Sequence, residues 1–321
     1  MNKARILIVE DDALTAEQEE QKLLGLGYEV AGKAATGTDA VRMVDETRPD
    51  LVLMDIRLRG KMDGIEAASL IVQQHDVPIL YVTAYADDNT LQRAKITAPF
   101  AYILKPFNTE SLCSNIEMSL YKHSLDQQLR QSLHGIIDAF VSLTEVHSPS
   151  IAQHQQQAAQ LANAIAKEMG LARNEITSCR VGALLHAVGL MGISFETLNK
   201  PGALSKVETI YFQSYPEIGY EILKNINFPW PVADIVRQHR ERLDGSGYPN
   251  GLKGDQILPE AHIVIVACQV VTSVKGYSLE KTGNLEEVLA EIEKGSGTLF
   301  DPEAVDVCLK LFREKGFRLG V

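Results

Sequence analysis

Residues 238–251 read Gln-His-Arg-Glu-Arg-Leu-Asp-Gly-Ser-Gly-Tyr-Pro-Asn-Gly, a run of charged side chains that passes into a turn rich in glycine with a proline. His239 can bind a metal ion. Arg240 beside it is a permanent cation that cannot coordinate a metal and repels one placed nearby. Whether this stretch belongs to a working metal site therefore depends on what the rest of the chain supplies.

Working outward from it, helical patterns follow one another with no convincing strand: 151–169 stopped by Gly170, 174–188, 207–226, 232–240, 261–274, 285–294 and 302–313. This is an all-α reading. On that background residues 238–251 closely resemble the signature of HD-GYP proteins, metal-dependent phosphodiesterases of the helical HD superfamily that hydrolyse cyclic di-GMP. The resemblance runs from about residue 143 to 312, and the domain is expected over 143–321.

The resemblance implies a set of metal ligands, and most of their positions have changed. A histidine near the start of the domain is kept as His154, whereas Ser150 stands where a glutamate is frequent. The name-giving His-Asp pair appears as His186-Ala187, and the following Ile-Gly-Lys as Val188-Gly189-Leu190. A later His-Pro reads Tyr215-Pro216, the second histidine of the signature is Arg240, and an aspartate expected further on is Cys268. Gly245, Gly247, Tyr248 and Pro249 are intact, so His154, His186, His239, Arg240, Gly247, Tyr248 and Pro249 outline a vestigial site.

Phosphodiester hydrolysis of this kind needs metals held close together, so that a bridging water ionises and the phosphate charge is clamped. Carboxylates let metals share a site, and Ala187 and Cys268 remove the two main ones. No catalytic multinuclear site is expected. Three histidines with water would make an acceptable single zinc site; alternatively they hydrogen-bond within a core, which Arg240 and Leu190 favour. No cofactor is assigned to this half.

The chain has 321 residues with 45% hydrophobic content, enough for two ordinary domains with sizeable cores. A net charge of −11 argues against a surface that coats nucleic acid. Four dispersed cysteines without a Cys-x-x-Cys pair fit free thiols in a reducing cytosol. No leader-like segment or membrane-length apolar run is read, so a soluble, cytoplasmic protein that engages no membrane is expected.

In the N-terminal half, apolar runs at 5–9, 51–54, 78–82 and 102–104, with a weaker one at 28–32, alternate with helix-like segments. That alternation predicts a doubly wound parallel α/β sheet. Glu10, Asp11, Asp12, Asp55, Thr83 and Lys105 fall at the carboxyl ends of the runs, the edge where such sheets bind ligands. Crowding Asp11, Asp12 and Asp55 together is unfavourable unless a hard cation such as Mg²⁺ sits among them. Asp55 can then attack a phosphoryl group, Lys105 neutralises charge on the transferring oxygens, and Thr83 hydrogen-bonds the product.

Five chemically distinct positions in this order resemble the receiver domain of bacterial response regulators over roughly residues 1–123. The resemblance implies a flavodoxin-like fold, phosphorylation of Asp55 by a sensor histidine kinase, and Tyr102 as a switch aromatic coupled to Thr83. The loop after Asp55 departs from the family by lacking a proline and by its length, which bears on loop geometry rather than on phosphorylation.

Between the halves, Thr109–His147 has no proline, and Leu129, Leu133, Ile136, Phe140 and Leu143 recur at alternating spacings of four and three. This predicts a connecting helix whose stripe serves either a homodimer seam or its own C-terminal domain. The leading expectation is a response regulator whose catalytically disabled HD-GYP output acts by binding a protein or ligand. Against it stand a cyclic di-GMP phosphodiesterase with an atypical metal site, and a cyclic di-GMP sensor in which Arg240 replaces the lost metals by pairing with phosphate.

Overall fold

The computed structural model describes residues 3–83, 101–198, 200, 202–275 and 284–320. The chain divides into two compact units, Met1–Ser132 and Leu133–Val321. Among the described residues no helix is long and apolar enough to cross a membrane.

The first unit is built on five parallel strands, β1 (Arg5–Val9), β2 (Glu29–Ala34), β3 (Leu51–Asp55), β4 (Ile79–Thr83) and β5 (Ala101–Leu104), in the order β2-β1-β3-β4-β5. The doubly wound reading holds. Buried strands read as continuous apolar runs because both faces of the sheet are covered. On one face Leu7, Val9, Val52, Met54 and Tyr81 pack beneath α2 (Gly37–Thr47) and α3 (Gly64–Gln74). Their neighbours Ile6, Ile8, Leu53 and Val82 meet Leu23 of α1 (Ala13–Gly25) and Leu112 and Ile116 of α4 (Thr109–His147) on the other. Each such side chain stabilises the unit by about 1.5–3 kcal/mol. The weak strand expected at 28–32 lies instead at Glu29–Ala34, where its register against β1 shifts between Ile6 and Leu7.

Strand order reverses at β1, so a crevice opens at the carboxyl edge where Glu10, Asp55, Thr83 and Lys105 end or follow their strands. Pairing aligns Asp55 with Val82 and Thr83 with Leu104. Gly64 lets α3 start against the sheet, since a Cβ there would lie 1.9 Å from the Asp55 carbonyl oxygen. The carboxylate of Asp63 caps that helix in a reciprocal box with Glu66. The connecting helix α4 runs unbroken for 39 residues, on the order of 58 Å.

The second unit is helical, as expected: α5 (Pro149–Glu168), α6 (Arg173–Leu185), a 3₁₀ turn at Val188–Gly192, α7 (Phe195–Leu198), α8 (Lys206–Phe212), α9 (Tyr215–Leu223), α10 (Val232–Gln238), α11 (Pro259–Lys275), α12 (Leu285–Lys294) and α13 (Pro302–Arg313). Its core is centred on α5, α6 and α11, where Ala158, Ala162, Ala183 and Ala267 allow close packing around Leu161, Ile165, Val264 and Val271. Two expected helices are corrected. The run 207–226 is two helices, because Pro216 occupies the first turn of α9 and cannot continue α8. The run 174–188 ends at Leu185, and the chain tightens into the 3₁₀ turn. Gly189 permits that turn to touch α9, since a Cβ would lie 1.9 Å from the Tyr215 carbonyl oxygen. This contact brings Tyr215 alongside the histidines described next.

Candidate functional site

At the sheet edge of the first unit, the Lys105 ammonium donates to Asp55 Oδ2 at 2.6 Å and to Glu10. The other Asp55 oxygen accepts the Arg57 N–H at 2.8 Å. Glu10 Oε1 accepts the Asp12 N–H at 3.2 Å. Burial raises the Glu10 carboxyl above its ordinary range, and nearby Asp55 adds to this while Lys105 opposes it. Burial works against the charge of Lys105, yet its bonds to Asp55 and Glu10 prevail and leave its pKa raised.

The three consecutive acids take different partners. Asp12 caps α1, its Oδ1 accepting from Thr15 N and Oγ1, both at 2.8 Å. Glu10, at 5% exposure, is the carboxylate beside Asp55. Asp11 is paired with Arg59 at 2.8 Å. Sequence reasoning also missed Glu19, buried at 3% exposure and 4.0 Å from Lys105, whose carboxyl burial pushes up to about 7. Its signal was an acid between Ala16 and Leu23 on the apolar face of α1.

Thr83 is buried at the end of β4, and Lys105 N donates to its carbonyl at 2.8 Å. Tyr102 stacks on Tyr81 with centroids 5.7 Å apart, and its buried hydroxyl has no hydrogen-bond partner among the described residues.

In the second unit, His154 of α5, His186 after α6 and His239 after α10 come together, with ring centroids 5.1 Å and 5.0 Å apart. Each is tied to protein. His154 Nε2 meets Thr272 Oγ1 at 2.8 Å, and His186 Nδ1 meets the Ala183 carbonyl at 2.6 Å. His239 Nδ1 donates to the Val236 carbonyl at 2.6 Å, which leaves Nε2 as an acceptor. The Tyr215 hydroxyl donates to it at 2.6 Å and itself accepts from Arg240 Nε at 2.7 Å. The chain Arg240 Nε–H, Tyr215 Oη–H, His239 Nε2 is thus closed with His239 neutral.

Electrostatics agree with a neutral cluster. Burial, then the other histidines and Arg240, hold His154 and His239 well below the ordinary imidazole range, and burial takes His186 down to about 4. Ala187, Leu190 and Tyr215, all at 0–1% exposure, form an apolar wall with Ile151 and Ile193. Cys268 is 1% exposed, and burial pushes its thiol up to about 12, so it offers no thiolate. Among the described residues no three histidine, cysteine or carboxylate side chains are arranged to hold a metal ion.

Glu241 is fully buried, and its carboxylate accepts the N–H groups of Asn250 at 2.7 Å and Leu252 at 3.0 Å. It holds the loop that contains Gly247, Tyr248 and Pro249. Gly247 is required there, because a Cβ would lie 2.4 Å from Glu241 Cα. Beside this loop a pocket of about 270 Å³ is lined by Gln213, Arg240, Arg242, Tyr248, Gln269 and Phe300, among others. Arg242 and the two glutamines had not been singled out in the sequence, where nothing distinguishes them from surface residues.

A family model described as the response regulator receiver domain matches residues 6–117, and one described as the HD domain matches residues 139–304. A protein of Thermotoga maritima named cyclic di-GMP phosphodiesterase is 32% identical over 337 aligned residues, covering 96% of this chain and 90% of that protein. The cyclic di-GMP phosphodiesterase response regulator RpfG of Xanthomonas campestris is 30% identical over 295 residues, covering 85% of this chain and 78% of that one. The transcriptional regulatory protein PdtaR of Mycobacterium tuberculosis is 37% identical over 116 residues, or 36% of this chain and 56% of that protein.

Proposed function

This chain belongs to the response regulators that join a receiver domain to an HD domain of the HD-GYP kind, and we propose that it couples phosphorylation of Asp55 to an output that works by binding rather than by hydrolysis. The observation that carries the second part is the Arg240–Tyr215–His239 chain, which engages protein groups at the positions a metal cluster would need.

In the receiver, Glu10 and Asp55 are paired with Lys105 and Asp11 with Arg59, so the three are not set around an ion as they stand; released from those cations, their hard carboxylate oxygens are of the kind that suits Mg²⁺, which when bound would neutralise charge on the phosphoryl oxygens. Asp12 is left to its capping role. Asp55 is the nucleophile: its oxygen bonds to phosphorus as the bond to the donor, a histidine kinase in the cell, breaks. Lys105, already 2.6 Å from Asp55, is placed to pair with a transferred oxygen, and Thr83 with another. Tyr102 beside this edge is the group that would respond to a shift of the Thr83 hydroxyl.

The names of the relatives favour an active phosphodiesterase. Against this, a bridging hydroxide needs two metals and their shared carboxylate, and positions 187 and 268 supply a methyl group and a neutral thiol. A non-hydrolysing cyclic di-GMP sensor is a second reading, supported by the pocket itself. Arg240 and Arg242 line it, while the carboxylate of its acidic residue, Glu241, is already bonded to backbone N–H groups. Guanidinium groups bind phosphate through charge-assisted bonds without a metal.

The test is a joint assay of purified protein with cyclic di-GMP and Mn²⁺, scoring turnover and binding beside an active relative. Metal-dependent turnover comparable with that of the relative would overturn the non-hydrolytic reading. Binding without turnover supports the sensor, and the absence of both binding and turnover supports a protein partner for the second domain.

A further inference from the structure

Glu19 stands in the second turn of α1, 3% exposed, where Ala16 and Leu23 carry the apolar face of that helix onto the sheet. A leucine would pack at such a position without loss, whereas a carboxylic acid gives up its hydration there. Its Oε1 is buried and has no hydrogen-bond partner among the described residues. Burial pushes the carboxyl up to about 7; Lys105 and Lys22 oppose this, and Glu10 and Asp55 add to it. A buried polar atom left in this condition calls for a role beyond packing.

Lys105 points to that role. Its ammonium has three N–H groups on a flexible stem. One donates to Asp55 Oδ2 at 2.6 Å and one to Glu10, while Glu19 Oε1 lies 4.0 Å from the nitrogen, at ion-pair distance but short of a hydrogen bond. Phosphorylation withdraws both present partners. The attacking oxygen of Asp55 becomes the bridging oxygen of an acyl phosphate, and Glu10 is among the carboxylates released toward the metal ion. Glu19 takes part in neither event, so it stays beside the ammonium throughout.

We infer that Glu19 is a positioning residue for Lys105, holding the ammonium at the acceptor while Asp55 and Glu10 exchange it for the phosphoryl group and the metal ion. The inference rests on Asp55 as the phosphoryl acceptor. An ammonium without a fixed partner must lose the freedom of its whole stem each time it meets a transferring oxygen. Anchored from α1, it presents its remaining N–H groups to the crevice with that freedom already lost, which favours the transition state over the resting state. The opposite role, an anion that holds Lys105 back from the phosphoryl oxygens, predicts the opposite sign.

The test uses the full-length protein. Glu19→Leu should keep its helical circular dichroism, because leucine suits the apolar face of α1. Labelling of Asp55 by a small phosphodonor, followed as Mg²⁺ is titrated, should show a maximal rate about fivefold to tenfold lower than wild type, with the half-saturating Mg²⁺ concentration unchanged. Glu19→Gln, which keeps an uncharged acceptor, should fall between the two and gives the same comparison if the leucine variant does not fold. A second readout needs neither metal nor phosphodonor. Reductive methylation of Lys105, followed by peptide mass spectrometry, should be slow in Glu10→Gln with Asp55→Asn, where Glu19 remains beside the ammonium. Adding Glu19→Leu should speed it about tenfold, the effect of lowering the amine pKa by about one unit. Labelling of the Glu19 variants as fast as or faster than wild type, or methylation that Glu19→Leu leaves unchanged, would overturn the proposal. Labelling that survives in Asp55→Asn would instead refute the acceptor, and the methylation comparison would still decide whether Glu19 holds Lys105.

Discussion

Replacing Tyr215 by phenylalanine deletes one oxygen atom and tests the hydrogen-bond chain directly. Tyr215 is fully buried, its hydroxyl donates to His239 Nε2 at 2.6 Å, and it accepts from Arg240 Nε at 2.7 Å. Removing it withdraws a neutral bond, about 1 kcal/mol, and a charge-assisted one, about 1.5–3 kcal/mol. The expected loss is about 3 kcal/mol. Trp230 is the sole tryptophan and packs against the cluster of Val232, Val236 and Leu223, so its fluorescence follows unfolding of the second unit. With a urea slope of about 2 kcal/mol per molar, the midpoint should fall by about 1.5 M. Tyr211→Phe is the control, because that hydroxyl bonds the Gly192 carbonyl at 2.9 Å from a side chain 41% exposed, and should cost under about 1 kcal/mol. Tyr215→Phe combined with Arg240→Met should cost less than the sum of the single changes by about 1 kcal/mol or more. If Tyr215→Phe is no more costly than Tyr211→Phe, or if the double variant is strictly additive, the chain does not exist in solution.

Further outcomes are expected at both sites. Asp55→Asn should abolish labelling by a small phosphodonor, and Asp11→Asn should reduce Mg²⁺-dependent labelling about tenfold or more. Asp12→Ala should still be labelled and lose only the modest stability of one helix cap; a loss of labelling equal to that of Asp11→Asn would return Asp12 to the metal set. Ala187→Asp alone should not produce turnover of cyclic di-GMP, because ligands of one cluster act as a unit, and measurable rescue would show that the other changed positions matter little. His154, His186 and His239 all have depressed folded pKa values, so the unfolded chain binds protons first as pH falls. Stability of the second unit should be full above about pH 6.5 and decline toward pH 4, by up to about 1.4 kcal/mol per pH unit per histidine; a Trp230 midpoint that is flat from pH 7.5 to 5.5 would contradict the buried neutral cluster. Glu19 is the opposite case: its pKa is raised to about 7, so stability is lost as pH rises through that value, and Glu19→Gln should stabilise the receiver at pH 8 but hardly at pH 5.

The sheet was legible because a parallel sheet buried on both faces writes its strands as apolar runs, and the acids and Lys105 end those runs. Which acids share the crevice was less legible. Glu10, Asp11 and Asp12 are consecutive, and a single step along the chain separates a side chain at the strand end from one that caps the following helix. Only the register of β1 and the start of α1 decide this, and neither is visible in composition. The break between α8 and α9 was visible in principle at Pro216, but the surrounding helical pattern masked it.

For the second unit, the resemblance showed which ligand positions had changed, yet not what the replacements do for one another. Tyr215 and Arg240 are 25 residues apart in sequence and meet where α9 packs against α10, with Gly189 letting α9 also lie against the 3₁₀ turn. Each replacement makes physical sense only beside the others. A guanidinium next to three histidines is destabilising unless they stay neutral, and the buried, tied geometry of His154, His186 and His239 keeps them so. A neutral His239 Nε2 in turn needs a donor, which a tyrosine hydroxyl supplies while accepting from Arg240. A reversion at position 215 or 240 would therefore have to break the Arg240–Tyr215–His239 bonds before it could help build a metal site. Ala187→Asp, in turn, would bury a carboxylate among Ile151, Leu190, Ile193 and Tyr215, at a desolvation cost that no neighbouring ligand set is in place to offset.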